Sequence, residues 1–211
     1  SGFRQLRGPL RFFVAAICIA LSVFHIYTAG FGLLNEVSHR SVHMAFTMGL
    51  LFLLFPRARP IRRGASVGFG VIFAAFYLIF TYQLVSALSG QIGMGLTLAS
   101  YAFAGLIALS ALPFRFLGGQ GDRIGLLDWP LALLGAGFSA YILIFFERIF
   151  VTNVGFPLPI DYLMGGIAIL MVVEGARRTM GEALPLTGPM ALLYATLGQY
   201  LPDALAHRGY D

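Results

Sequence analysis

The feature that most constrains this chain is a series of long apolar runs that carry almost no charge. The runs cover about residues 10–31, 41–55, 66–88, 94–114, 129–146, 162–173 and 184–201. An α-helix needs roughly 20 apolar residues to cross a bilayer, and several runs reach or approach that length. Charged residues make up only 11% of the chain, against about 25% in soluble globular domains. The sequence therefore predicts an all-α, polytopic integral membrane protein with about seven transmembrane helices.

Two of the runs are too short to span a bilayer unless their helices include neighbouring polar residues. We expect the second helix to begin inside the polar turn at residues 35–40. The sixth run continues into EGARRTMGEA, where Glu174, Arg178 and Glu182 recur every four residues. That spacing places the three charges on one helical face as a salt-bridge ladder. We therefore predict one helix that leaves the membrane with charged turns at its end.

The distribution of the arginines predicts the orientation of the chain in the membrane. Arginine supplies all the fixed positive side-chain charge, because the chain contains no lysine. If the N-terminus is cytoplasmic and seven retained spans alternate, eleven arginines lie on the cytoplasmic side and three on the other. The first set is Arg4, Arg7, Arg11, Arg57, Arg59, Arg62, Arg63, Arg115, Arg123, Arg177 and Arg178, and the second is Arg40, Arg148 and Arg208. This asymmetry follows the positive-inside rule. Arginines scattered in this way favour contact with anionic membrane lipids over contact with nucleic acid.

The stretch FHIYTAGFGLLNEVSHRSVHMAF holds three histidines between the first two runs. His39 and His43 are four residues apart and could face one metal ion, but two ligands do not complete a zinc site. His25 cannot be placed by spacing alone. We interpret the imidazoles and Tyr27 as side chains of the membrane interface. A membrane enzyme with an active site built from the three histidines remains an alternative.

Helix-start signals surround two of these runs. Asn35 is a good N-cap, and Glu36 precedes Arg40 by four residues, the favourable order for a helical ion pair. At the fifth run Asp128 is placed to cap the helix, and Trp129 fits the aromatic belt at the interface. These patterns predict structural roles for all five side chains.

Small residues and missing motifs complete this picture. Gly135 and Ser139 are four apart, a spacing that lets membrane helices approach closely. The chain contains no Gly-x-Ser-x-Gly elbow, no His-Glu-x-x-His and no phosphate-binding loop. Ionisable residues suitable for a proton relay are nearly absent from the runs. The sequence predicts a scaffold rather than an enzyme, with no resident metal or cofactor.

Five stretches, in order, resemble the fused permease of TRAP transporters, in the branch that works with TAXI-type binding proteins. They are FHIYTAGFG, HRSVHMAF, LLDWPLALL, IDYLMGGIAILMVVEGARR and ALPLTGPMALLYATLGQYLPDALAHRGY. They place His25, Tyr27, Arg40, His43, Asp128, Trp129, Glu174 and Arg178 in or beside family-like motifs as candidate interface residues. The resemblance implies a secondary transporter for organic acids, often dicarboxylates, in the bacterial inner membrane.

The resemblance also implies partners and a division of the chain. A periplasmic TAXI-type protein would deliver substrate, and a Na⁺ or H⁺ gradient would drive uptake. Residues 1–180 resemble the small membrane part of the permease, and residues 181–211 the first helix of its large part. The periplasmic turns at residues 35–40 and 148–161 would be candidate surfaces for the binding protein.

The chain departs from the family pattern in two places. Residues 62–114 add two helices, which we expect to form an accessory hairpin on the outer rim. The sequence also stops where the family continues into its large part, which would be a separate chain or a continuation of this one. The family's substrate and ion sites lie in hairpins of that part, so no substrate-binding residue can be assigned here. A structural or assembly subunit of another membrane complex, without transport activity, is the alternative function.

Overall fold

The protein is a bundle of α-helices joined by short turns. The computed structural model describes residues 4–32, 35–56, 63–112, 123–181, 183–202 and 205–206. The helices are α1 (Pro9–Phe31), α2 (Glu36–Leu54), α3 (Arg63–Ala87), α4 (Met94–Ala111), α5 (Asp128–Ile144), α6 (Pro159–Met180) and α7 (Thr187–Leu197). A π-helical turn (Arg148–Thr152) follows α5, and 3-10 turns (Leu184–Leu186 and Gly198–Tyr200) flank α7. The described residues contain no β-strand, which confirms the predicted all-α class.

Four of these helices are long and apolar enough to cross a membrane, which confirms the coarser prediction of a helical membrane protein. They are Pro9–Phe31, Val67–Ala87, Met94–Ala111 and Pro159–Met180. The apolar helix α5, with 17 residues, is shorter than these four. Several predicted positions lie outside the described residues, namely Arg57, Arg59, Arg62, Arg115, Glu182 and Arg208.

The two helices expected to extend beyond their apolar runs do so. Asn35 caps α2, since its side-chain oxygen accepts the Ser38 N–H at 2.8 Å. Glu36 and Arg40 form the predicted ion pair on the first turns of α2, and both side chains are largely exposed. Helix α6 runs without interruption from the apolar run into the EGARR segment and ends at Met180.

Helix α6 lies at the centre of the bundle and contacts α2, α3, α4 and α5. Three helices meet closely at Gly135 of α5. A Cβ built there would lie 3.1 Å from Met171 of α6 and 3.1 Å from Met48 of α2. The absent side chain therefore lets α2, α5 and α6 meet. This confirms the predicted packing role of Gly135.

The added hairpin α3–α4 is not a rim feature, which differs from the sequence-based expectation. Phe73 and Tyr77 of α3 and Ile107 of α4 are fully buried, as is the hydroxyl-bearing Ser110. Both helices pack against α6. The hairpin is therefore part of the core. The expectation failed because side chains buried against α6 and side chains facing lipid are both apolar. Hydropathy alone cannot distinguish them.

Helix α1 is the least enclosed helix among those described. Its main packing partner is α2, and Val14 and Thr28 are its only buried residues. Large apolar side chains such as Phe12 and Ile26 remain 76% and 73% exposed. In a protein with membrane-spanning helices, such a surface is suited to lipid tails.

We expect Gly135→Leu to destabilise the bundle by about 1–3 kcal/mol, because a branched side chain must displace Met48 and Met171. Gly137→Leu is the matched control, since Gly137 lies on the same helix and no atom lies within 4 Å of its ideal Cβ. Thermal unfolding of the purified variants in one detergent measures both. Equal unfolding temperatures for the two variants would contradict the packing of α5 described here.

Candidate functional site

Five charged side chains meet inside one end of the bundle, and we call them the buried ion network. They are Arg4, Asp128, Glu174, Arg177 and Arg178, and the exposed fraction of each side chain is 3% or less. They come from the segment before α1, the first turn of α5 and the last turns of α6. The network therefore joins parts of the chain that are far apart in sequence.

Glu174 is the centre of the network. Its carboxylate accepts hydrogen bonds from Arg177 Nε at 2.8 Å and Arg177 Nη2 at 2.9 Å, and from Arg178 Nε at 2.9 Å. The Tyr77 hydroxyl donates to it at 3.1 Å, and the Ser110 hydroxyl donates as well. Helices α3 and α4 thus supply neutral donors, while α6 supplies charged ones. A carboxylate so surrounded has no face open to a ligand.

Asp128 connects two arginines from opposite ends of the chain. Arg178 Nη1 donates to Asp128 Oδ1 at 2.7 Å, and Arg4 forms a salt bridge with Asp128 Oδ2. The Gly125 N–H also donates to Oδ2 at 3.0 Å. The predicted capping role is thus wrong in detail, because Leu127 occupies the N-cap position of α5. The side chain of Asp128 serves mainly as a partner for buried arginines.

Arg4 fixes the N-terminal segment to the end of α2. Its Nη1 donates to the carbonyl oxygens of Phe52 at 3.1 Å and Leu53 at 2.9 Å, and its backbone N–H donates to Leu54 at 2.9 Å. Burial lowers the pKa of the Arg4 guanidinium, and Asp128 opposes that shift. Arginine remains protonated under such conditions because its intrinsic pKa lies far above neutral pH. The end of α2 therefore binds a permanent charge.

Arg178 completes the connection between the two carboxylates. It contacts both Glu174 and Asp128 and donates from Nη2 to Ser110 Oγ at 2.9 Å. Its guanidinium also lies 4.8 Å from the centre of the Phe52 ring, a cation–π arrangement. Buried pairs of this kind are expensive to break, because removal of one partner leaves an uncompensated charge. The geometry is suited to holding helices in place rather than to reacting.

The network adds a finding about the charged end of the sixth helix. The predicted pair of Glu174 and Arg178 forms along α6, and the bundle buries both side chains completely. Sequence reasoning missed Arg4, Arg177, Tyr77 and Ser110 as functional partners. If the helices alternate in direction, the ends of α2, α4 and α6 lie beside the starts of α1 and α5. The order of the apolar runs could therefore have predicted that Asp128 meets the EGARR segment. It could not have predicted that Tyr77, in the middle of α3, binds Glu174.

A second cluster, which we call the histidine groove, lies near the other end of α1 and α2. His25 Nε2 and His43 Nδ1 are 2.8 Å apart, and the ring centres of His25 and His39 are 5.3 Å apart. These residues border a cavity of about 710 Å³. The remaining lining residues are Val37, Arg40, Ser41, Met44, Phe138, Ser139, Ile142 and Phe150. The fold thus unites three histidines that spacing could not place together.

The two aromatic candidates lie outside both clusters. Tyr27 is 49% exposed and contacts Phe31, with ring centres 4.9 Å apart. Trp129 is 40% exposed beside the buried Asp128. Neither ring lines the histidine groove. Their exposure at helix ends agrees with the interfacial interpretation.

A small polar cluster closes the turn between α5 and α6. Arg148 donates from Nη1 to Asp161 Oδ2 at 3.0 Å and from Nη2 to Oδ1 at 2.7 Å. The Tyr141 hydroxyl accepts from Arg148 Nη2 at 2.6 Å and donates to Asp161. The hydrogen bond to Asp161 raises the pKa of Arg148. This bidentate pair fixes the turn at the end opposite the buried ion network.

Within the described residues, no group of three or more His, Cys, Asp or Glu side chains is placed to hold a metal ion. Comparison with known proteins adds no assignment: no protein-family model, no curated protein and no solved structure matches the chain.

We expect Glu174→Gln to lower the free energy of unfolding by about 3–5 kcal/mol, because it leaves buried arginines without their shared carboxylate. Glu36→Gln is the matched control, since Glu36 forms the same Glu–Arg pair at spacing i,i+4 but is 73% exposed. The control should change stability by less than about 1 kcal/mol. Thermal and denaturant unfolding in detergent compare the two, and equal effects would contradict a structural role of the buried network.

Proposed function

We propose that the chain is the scaffold portion of a binding-protein-dependent secondary transporter of the TRAP type, in its TAXI branch. The complete transporter would import organic acids, dicarboxylates among them, with a Na⁺ or H⁺ gradient. The scaffold itself would bind neither substrate nor ion. Its partners would be the large permease part, a periplasmic binding protein and membrane lipids, in a bacterial inner membrane.

One observation supports this proposal above the others: the family-like motifs converge in space. Asp128 comes from LLDWPLALL, and Glu174 and Arg178 come from IDYLMGGIAILMVVEGARR. They are bonded to one another inside the bundle, with Arg178 at 2.7 Å from Asp128 and 2.9 Å from Glu174. The family-like motifs therefore supply residues that hold the helices of this chain together.

The same network suits a stationary part. A moving transport element needs interfaces with two arrangements of similar free energy. Here two carboxylates and three arginines are enclosed by α2, α3, α4, α5 and α6, and displacement of any of these helices would expose or unpair a charge. We therefore infer that helices α2 to α6 act as one rigid support, against which another chain or segment could move.

The added hairpin takes a defined place in this proposal. Tyr77 and Ser110 complete the hydrogen bonds of Glu174. The hairpin would thus be a built-in reinforcement of the scaffold rather than an appended module. This role does not depend on the direction or substrate of transport.

The orientation belongs to the same proposal. Arg4 and the ends of α2, α4 and α6 meet at one end of the bundle, while Arg40 and Arg148 belong to the other. With the N-terminus cytoplasmic, the histidine groove and the turn at Arg148 would face the periplasm. That is the side on which a binding protein delivers substrate.

An accessibility measurement tests the orientation. In a Cys18→Ser background, Arg40→Cys should react with a membrane-impermeant maleimide added to intact cells, because Arg40 is exposed at the proposed periplasmic end. Arg11→Cys, near the start of α1, should react only after permeabilisation. Inverted labelling of the two positions would reverse the proposed topology.

An uptake measurement tests the transporter role. Deletion of this segment from cells that express the permease and binding protein should abolish gradient-driven uptake of organic acid. Asp128→Asn should lower uptake in parallel with the amount of assembled complex, because the residue positions helices and does not touch substrate. The matched control Trp129→Phe should preserve both.

The assembly-subunit alternative predicts a different result in the same cells. Uptake would persist when this segment is deleted, while another membrane complex would lose a component. A histidine-dependent turnover, abolished by His25→Ala with assembly intact, would instead favour the enzyme alternative. Either outcome would overturn the transporter proposal.

A further inference from the structure

The histidine groove has the dimensions of a binding site. Its volume of about 710 Å³ lies within the range of roughly 300–1,000 Å³ typical of small-molecule sites. Apolar side chains form most of its wall, among them Met44, Phe138, Ile142 and Phe150. Polar side chains gather at the end formed by the first turns of α2. The groove is therefore apolar along its length and polar at one end.

The hydrogen bonds fix which histidine nitrogens are already engaged. The Thr47 hydroxyl donates to the His43 carbonyl oxygen at 2.8 Å, and its oxygen lies 3.3 Å from His43 Nε2. His43 Nδ1 lies 2.8 Å from His25 Nε2, and the two rings share a hydrogen bond. Both nitrogens of His43 are thus satisfied within the protein. The pair joins α1 to α2 and is not available to a ligand.

His39 differs from this pair. Its ring stacks on Phe24 with centres 5.1 Å apart and planes inclined by 28°. It is half-buried, and within the described part of the chain its ring nitrogens make no hydrogen bond. Stacking therefore holds an imidazole in a fixed orientation beside the groove, with its polar atoms unused. Such an arrangement is suited to a ligand that accepts a hydrogen bond.

Arg40 supplies the charge at the same end. Its described partner is Glu36, and the two side chains are 76% and 73% exposed. An exposed pair of this kind contributes little and can exchange partners. A guanidinium binds phosphate oxygens in a bidentate fashion. Arg40 can therefore turn towards an anion at the mouth of the groove.

We propose that the histidine groove binds an anionic membrane lipid. His39 and Arg40 contact the head-group phosphate, and one acyl chain lies along Met44 and Phe138. The direction agrees with the helices: His39 and Arg40 stand in the first turns of α2, while Met44 lies about one turn further in. The exposed apolar surface of α1 places lipid tails beside the opening. This proposal does not depend on the transporter role.

Lipid binding to the purified full chain tests the proposal. Native mass spectrometry in a neutral detergent should show phosphatidylglycerol bound about tenfold more tightly than phosphatidylcholine. His39→Phe keeps the stacking but removes the ring nitrogens, and Arg40→Gln removes the charge. Each should weaken the binding of phosphatidylglycerol several-fold, by loss of a hydrogen bond to the phosphate. Arg40→Lys should retain most of it.

Two further variants separate the groove from other effects. Ile142→Trp should fill the groove and weaken binding without a change in charge. Arg11→Gln is the control, because it removes an exposed arginine far from the groove and should leave the preference intact. Unfolding temperatures close to that of the unmodified protein verify that each variant is folded.

Several outcomes would overturn the proposal. Equal binding of the two lipids excludes recognition of an anionic head group. A loss in Arg11→Gln as large as that in Arg40→Gln indicates general attraction to charge rather than a site. Displacement of the lipid by millimolar inorganic phosphate shows that a soluble anion, not a lipid, is the natural occupant.

Discussion

The fold depends on the cost of a buried charge. Glu174 has no exposed surface, and a carboxylate in that position is stable only with charged and neutral donors around it. Arg177 and Arg178 come from the same helix, but Tyr77 and Ser110 must be delivered by two others. The requirement at one carboxylate therefore dictates the relative positions of α3, α4 and α6. Apolar packing alone would allow these helices to slide or rotate, because lipid solvates their outer faces equally well.

The two ends of the bundle use charge differently. At one end the network is enclosed, and its bonds connect the segment before α1 with helices α2 to α6. At the other end the pairs are local: Glu36 with Arg40 along α2, and Arg148 with Asp161 across one turn. The local pairs fix individual turns and leave the histidine groove accessible between them. One end is thus built for rigidity, and the other retains surfaces that can meet a ligand or a partner.

The sequence predicted the helical class, the helix bounds to within a few residues, the cap at Asn35 and the pair of Glu36 with Arg40. These features depend on local spacing, hydropathy and helix-end chemistry. It did not predict the arginine partners of Asp128. An aspartate at the start of a helix is commonly an N-cap, so its position alone did not indicate that it binds distant arginines. Nor did the sequence identify Tyr77 and Ser110, whose role depends on which face of an apolar helix turns inward. The sequence showed three histidines in one short stretch. The contact between His25 and His43 could not be predicted, because it depends on how α1 packs against α2.

The distance along the chain between network partners has a consequence for biogenesis. Arg4 is separated from Asp128 by 124 residues, and Tyr77 from Glu174 by 97. Helices of a membrane protein emerge from the ribosome one after another. Residues made early, such as Tyr77, therefore lack their partner in the network until α6 is synthesised. Arg4 and Asp128 can pair with each other once α5 is made, but Asp128 lacks its bond to Arg178 until the C-terminal end of α6 arrives. Completion of α6 is thus the step at which separately inserted helices become one assembled unit, and a ribosome that stalls before Glu174 would leave the bundle open.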